Sequence, residues 1–275
     1  MAPMASLAAT AGSARIHAAF RAGARPAGSV LPFITGGFPS IDSTRALLPR
    51  LAQAGATAIE VGIPFSDPIA DGPVIAESMH EALVAGCTPA GVFGAVRAAR
   101  PAVACPMVAM VSVSIVDRIG AERFAHDAAA AGFDGLIVPD IDLEDAPALR
   151  AACDAAGIAL TLLVSPTSSD DRIARICGLC SGFVYALARL GITGERSEAP
   201  DVGPIVARIR RHTDLPIAAG FGISTEAHVR AVAEHADGAI VGSAIVRRMR
   251  EAIAAGTSPE DAAVELVAAL VGPNR

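Results

Sequence analysis

The sequence predicts a single α/β domain folded as a (β/α)8 barrel with a short N-terminal helix. Three observations carry that prediction. Short β-branched runs alternate with Ala-rich amphipathic stretches along nearly the whole chain, and eight such runs can be counted. Together the units fill roughly 250 residues, the usual extent of a closed parallel barrel. Each amphipathic stretch is long enough to cross back over a parallel sheet. An open doubly wound sheet is the second arrangement compatible with this pattern.

Taken in order, Ser13 to Ala22 reads as a helix, so residues 1–12 are expected to be a disordered extension and residues 13–275 the barrel domain. Arg15, Arg21 and Arg25 precede the first acid, Asp42, in the manner of a transit peptide, but the helix and the strand behind it fit a folded segment better. Strand one is Val30 to Thr35, followed by a helical stretch from Ser43 to Ala54. Strand two is Thr57 to Val61, followed by a helical stretch from Thr88 to Arg100. Strand three, Met107 to Val111, leads to Asp117–Ala131; strand four, Gly135 to Val138, leads to Glu144–Ala156. Strand five is Ile158 to Val164, with Asp171–Cys180 behind it, and strand six is Phe183 to Ala186, with Val202–Arg211 behind it. Strand seven, Leu215 to Ala219, precedes Thr225–His235, and strand eight, Ala239 to Val241, runs into a short helix from Ala244 to Glu251. Gly55, Gly86, Gly132 and Gly157 stand where left-handed helix C-caps are wanted. The pattern is that of a TIM barrel, whose active sites are built at the carboxyl ends of the strands.

Composition excludes several classes of function. The chain has 275 residues, 52% of them hydrophobic, enough for one large core. A formal charge of −6 without an Arg run argues against nucleic-acid binding, which needs clustered cations. No apolar stretch reaches the 18 or so residues that span a bilayer, so no membrane association is expected. Five cysteines, an odd and sparse set, point to a reducing cytoplasm. Cys177 and Cys180 form a C-x-x-C, but it closes a helix instead of opening one, and with no second pair for zinc these are expected to be structural thiols. The six histidines, His17, His80, His126, His212, His228 and His235, fall mainly in helical stretches and read as surface or packing residues. All 22 basic residues are Arg, so no lysine can form a Schiff base. No metal and no cofactor are expected.

The most informative stretch runs from Glu60 to Pro73 and holds Glu60, Asp67 and Asp71 among prolines. Glu60 interrupts an apolar strand, where a carboxylate costs several kcal/mol unless paired or protonated. Burial would raise its pKa and suit it to general acid work. Structurally, Glu60 could instead pair with an Arg inside the barrel, with Asp67 and Asp71 capping turns; spacing leaves both readings open. After strand seven comes Gly220-Phe221-Gly222, and after strand eight Gly242-Ser243 at a helix start. Small residues and a helix N-terminus at these two places are suited to holding a phosphate.

The segment Glu60 to Pro73, with Leu190–Gly194, Gly220–Ser224 and Val241–Val246, closely resembles the tryptophan synthase alpha subunit family, over roughly Phe33 to Met249. The resemblance implies retro-aldol cleavage of indole-3-glycerol phosphate to indole and glyceraldehyde 3-phosphate. It implies that Glu60 protonates the ring carbon losing its side chain and assists removal of the adjacent hydroxyl proton, while Asp71 takes or steadies the proton of the indole nitrogen. Phe33 and Phe221 are implied to face the indole plane, Tyr185 to place its hydroxyl near Glu60, and Thr193 to act in closing the loop Gly191–Pro200. Gly194, Gly220, Gly222, Gly242 and Ser243 are implied to hold the phosphate.

The chain departs from the family pattern after strand three, where Met110 is followed by Val111, Ser112, Val113, Ser114 and Ile115 without the usual aromatic and Asn-Pro. It departs again at Asp142, where Pro is usual, and at Ala76 and Glu81, where Gln and Arg are common. The loops after strands two, three and four belong to the face that meets a beta subunit in the family. Ser112, Ser114 and Asp142 therefore bear on that partnership and not on the acid–base pair. Three readings stay open: an ordinary alpha subunit, a stand-alone lyase releasing free indole, and a weakly catalytic barrel that activates a partner.

Overall fold

A computed structural model of the chain describes residues 10–23, 28–68, 72–188, 200–220 and 222–272. Among the described residues nine strands form one sheet, and every pairing is parallel. They are β1 (Ser29–Thr35), β2 (Ile59–Gly62), β3 (Met107–Met110), β4 (Gly135–Ile137), β5 (Ala159–Thr161), β6 (Leu163–Val164), β7 (Val184–Leu187), β8 (Ile217–Gly220) and β9 (Gly238–Val241). The lateral order is β5-β4-β3-β2-β1-β9-β8-β7-β6. Its two ends, β5 and β6, are the halves of the single fifth strand expected from sequence, joined at Leu162. The Tyr185 N–H donates to the Leu162 carbonyl at 3.1 Å, so the ring closes through this bend. This is the expected (β/α)8 barrel and not an open sheet.

The strands are buried on both faces, as a parallel sheet wrapped in helices requires. Alternate residues point in opposite directions and build two cores. Leu31, Ala58, Val108, Ile137, Ala159, Tyr185, Ala218 and Ile240 come from strands all round the ring and pack together, which places them inside the barrel. Val30, Ile34, Ile59, Val61, Ala109 and Val241 belong to the larger core between the strands and the helices.

The N-terminal helix spans Ala11–Ala22, with the Thr10 hydroxyl oxygen accepting from the Ser13 N–H at 3.0 Å. It closes the amino end of the barrel, where Ile16 and Phe20 join the interior core. Contact is close: a Cβ at Gly12 would lie 2.1 Å from the Asp134 carbonyl oxygen. The Asp134 carboxylate accepts from the Met107 N–H at 2.9 Å and from Arg100 at 3.1 Å, and pairs with Arg15 at 3.2 Å, tying this helix to β3.

Two helices lacked an element in the sequence reading: Pro73–Val84 and Pro259–Val271. The stretch read as one helix, Asp117–Ala131, is two, Val113–Ile119 and Ala121–Ala131. The break is at Gly120, whose φ of +93° an α-helix cannot contain. The four expected C-cap glycines all adopt positive φ. Cys177 and Cys180 are free and buried, with their thiols pushed up to about 11 and about 12 by burial, as expected of structural thiols.

Candidate active site

Among the described residues singled out in the sequence, Glu60, Phe33, Tyr185, Gly220 and Gly242 lie on the barrel strands or directly behind them. Glu60 lies on β2 in register with Phe33 on β1 and with Val108 on β3. It faces inward, because Ala58, two residues earlier, and Val108 beside it both belong to the interior core. Its side chain is fully buried, and neither carboxyl oxygen has a hydrogen-bond partner among the described residues. Pairing with an Arg inside the barrel is therefore absent among the described residues. Burial pushes the Glu60 carboxyl up to about 8, so it carries its proton at neutral pH.

The Phe33 ring lies across the inner faces of the neighbouring strands. A Cβ at Gly62 would meet it at 2.6 Å, and one at Gly242 at 3.3 Å. Two glycines thus leave room for one aromatic ring between β2 and β9. Met79, from the helix Pro73–Val84, reaches within 3.5 Å of the same Gly62 position.

On the opposite side Tyr185 of β7 is buried, in register with Leu163 and Ala218. A Cβ at Gly220 would lie 2.2 Å from its hydroxyl oxygen. The Glu60 oxygens accept no hydrogen bond from the described residues, Tyr185 included. The ring leans instead over β8, into the space that Gly220 leaves by having no side chain.

Gly220 and Gly242 end adjacent parallel strands, β8 and β9. Ser243 begins the helix Ser243–Ala254, and no side chain caps its first turn. A helix N-terminus without a side-chain cap, directly behind a barrel strand, favours an anion. Gly222 has φ +85°, the left-handed region, just beyond β8. Asp71, Thr193, Gly194 and Phe221 lie outside the described residues.

A cleft of about 220 Å³ opens beyond the carboxyl ends of β2, β3 and β4, lined mainly by Ile63, Phe65, Met79, Met110 and Pro139, with Asp67, Ser112 and Asp140 at its polar edge. Met79 was not foreseen. Its signal was present in the apolar positions Ile75, Met79 and Ala82 behind the Gly72-Pro73 start. At the altered loop after β3, Ser112 donates to Asp140 at 2.6 Å, and Asp140 also accepts from the Val113 N–H at 2.8 Å. The chain there forms the short helix Val113–Ile119, anchored to the loop after β4. Ser114 N–H is bonded within that turn, to Ser112 Oγ at 3.3 Å, and the Asp142 carbonyl accepts from Asp145 and Ala146.

Comparison with known proteins agrees with this arrangement. The family model described as tryptophan synthase alpha chain matches residues 20–271. The tryptophan synthase alpha chain of Halorhodospira halophila is 47% identical over 250 residues, covering 90% of this chain and 91% of that one. That of Rhodopirellula baltica is 44% identical over 245 residues, covering 86% and 88%. A solved structure of Mycobacterium tuberculosis tryptophan synthase superposes with a TM-score of 0.85 at 32% identity, covering 96% of this chain and 98% of that one. The alpha subunit from Pyrococcus furiosus gives a TM-score of 0.82 at 33% identity, covering 90% and 98%. Matches of this extent, on a barrel whose glycines, Phe33 and buried Glu60 converge at one mouth, make the chain a member of the tryptophan synthase alpha chain family.

Proposed function

We infer that this chain cleaves indole-3-glycerol phosphate to indole and glyceraldehyde 3-phosphate as the alpha chain of a tryptophan synthase. One observation carries the chemistry: Glu60 is a buried carboxyl group without a hydrogen-bond partner among the described residues, with its pKa raised to about 8. A neutral carboxylic acid at pH 7 can give a proton, which an ionised one cannot.

In the proposed reaction Glu60 gives its proton to the indole ring carbon that bears the side chain, while Asp71 takes the proton from the ring nitrogen. The carbon–carbon bond then breaks, and its electrons restore the aromatic ring. The Glu60 carboxylate takes the proton of the adjacent hydroxyl as the aldehyde forms, and Asp71 returns its proton to nitrogen. Both carboxyl groups end as they began. Phe33 packs against the indole plane, with Phe221 on the same ligand, and Tyr185 borders the reacting side chain. Gly194, Gly220, Gly222, Gly242 and Ser243 hold the phosphate, and Thr193 acts in loop closure. The uncapped helix at Ser243 and the Phe33 ring between Gly62 and Gly242 support these assignments.

We further propose a beta-type subunit as partner and the cytoplasm as location. No single helix among the described residues is long and apolar enough to cross a membrane. The changes at Ser112, Ser114 and Asp142 are absorbed locally by the Ser112–Asp140 cap and by backbone hydrogen bonds, and nothing in the comparisons favours a stand-alone lyase or a mere activator. Release of indole from indole-3-glycerol phosphate by the purified chain, with and without a beta subunit, tests the reading. Stimulation by the beta subunit is expected; no indole in either arm overturns it.

A further inference from the structure

Two helices flank β1 at the barrel mouth. Ser243–Ala254 starts at the proposed phosphate seat, and Pro73–Val84 carries Met79 into the slot beside Phe33 and Gly62. Ser78 of the latter is hydrogen-bonded to Thr35 at the end of β1, at 2.7 Å. Arg250 joins the two: its Nη1 donates to Glu77 and its Nη2 to Glu81, one helical turn apart on the facing helix. The Arg250 guanidinium carbon also stands 5.9 Å from the ring centre of Phe38, which is buried just beyond β1. Glutamate at position 81 completes the fork.

We propose that Arg250, through Glu77 and Glu81, is a positioning residue that fixes the distance between the phosphate seat and the indole slot. This rests on the reading of Gly242 and Ser243 as that seat. Exposed ion pairs add little to folding stability, and Glu77 and Glu81 are both more than half exposed. A planar fork held by two carboxylates does fix orientation. The substrate is held at one end by its phosphate and reacts at the other, so a small shift between the two walls moves the reacting carbon away from Glu60. Displacements on the order of 1 Å are costly to a positioned reaction.

Steady-state kinetics of the full chain test this, with inhibition by glyceraldehyde 3-phosphate as the reference because that product engages the phosphate seat without the indole slot. Arg250→Gln is expected to lower kcat for indole-3-glycerol phosphate roughly tenfold while the inhibition constant of the product stays within about twofold. Arg250→Lys, which keeps the charge but not the fork, is expected to recover only part of kcat. Glu81→Gln combined with Arg250→Gln is expected to be less than multiplicative. An unchanged kcat, or a product inhibition constant that worsens in step with kcat, overturns the proposal. Ser243→Asp separates the two layers, since it should weaken product inhibition by charge repulsion. If it does so while Arg250→Gln is silent, only the clamp is wrong; if it leaves inhibition unchanged, the phosphate seat is misplaced and the clamp falls with it.

Discussion

Glu60 and Phe33 face each other in register across the β1–β2 pair, one a carboxyl group without a hydrogen-bond partner among described residues and the other an aromatic ring laid over two glycines. The pairing puts a proton donor at the edge of a flat apolar slot. An indole in that slot would shield the carboxyl group further from water, so the acid form is held by the surroundings that bind the substrate.

Replacement of Glu60 by Gln keeps the shape and removes the proton. We expect a loss of about 10²–10⁴-fold in indole release, the range for a positioned general acid. Circular dichroism and thermal unfolding should remain native-like, because the buried carboxyl makes no hydrogen bond to the described residues that Gln would lose.

The same residue predicts two pH effects. Catalysis needs the protonated form, so kcat/KM should fall above about pH 8. For stability, the folded pKa of about 8 lies above the ordinary 4.5, so the native state binds the extra proton between those values. Stability at this site is therefore unaffected below about pH 4.5 and decreases as pH rises to about 8, with a limiting slope on the order of 1.4 kcal/mol per pH unit. Denaturant titrations of the protein and of Glu60→Gln across this window should diverge in that sense; parallel curves would contradict a raised pKa.

Gly220→Ala places a methyl group 2.2 Å from the Tyr185 hydroxyl oxygen. The rigid, buried ring has to turn away from β8, at a cost of about 1–3 kcal/mol in stability. Activity should drop at least as sharply, and trimming Tyr185 to Leu in the same chain should restore the stability but not the activity. Unfolding midpoints of the single and double variants decide this.

Gly12→Ala drives a methyl group into the Asp134 carbonyl, at 2.1 Å. Because that obstacle is backbone, the N-terminal helix has to lift, exposing Ile16 and Phe20. We expect a stability loss of roughly 2–4 kcal/mol and a lower midpoint in thermal unfolding. An unchanged midpoint would mean that this helix does not close the barrel in solution.

The alternation of strand and helix, the glycine C-caps and the misfit of Glu60 in an apolar strand were all legible in the sequence. Each is a local property: period, backbone conformation or a polar group in an apolar run. The helix Pro73–Val84 was not legible because it starts directly behind a proline-rich loop and one of its buried positions is the polar Ser78. The fifth strand was read whole because a bend at Leu162 leaves no mark on hydrophobic periodicity. How the Tyr185 ring leans inside the barrel was not legible, because it depends on where the neighbouring strand lacks a side chain, at Gly220.

The sequence by itself determined the class of fold, the absence of any lysine for imine chemistry and the presence of a carboxyl group within an apolar strand. Tertiary structure decided what surrounds that group. The empty hydrogen-bond sites of Glu60, the ring of Phe33 over Gly62 and Gly242, and the fork of Arg250 onto Glu77 and Glu81 join residues separated by up to about 200 positions in the chain. Period and propensity specify which face of an element is apolar. Only closure of the ring specifies which faces meet, and desolvation, which raises the Glu60 pKa, exists only once they have met.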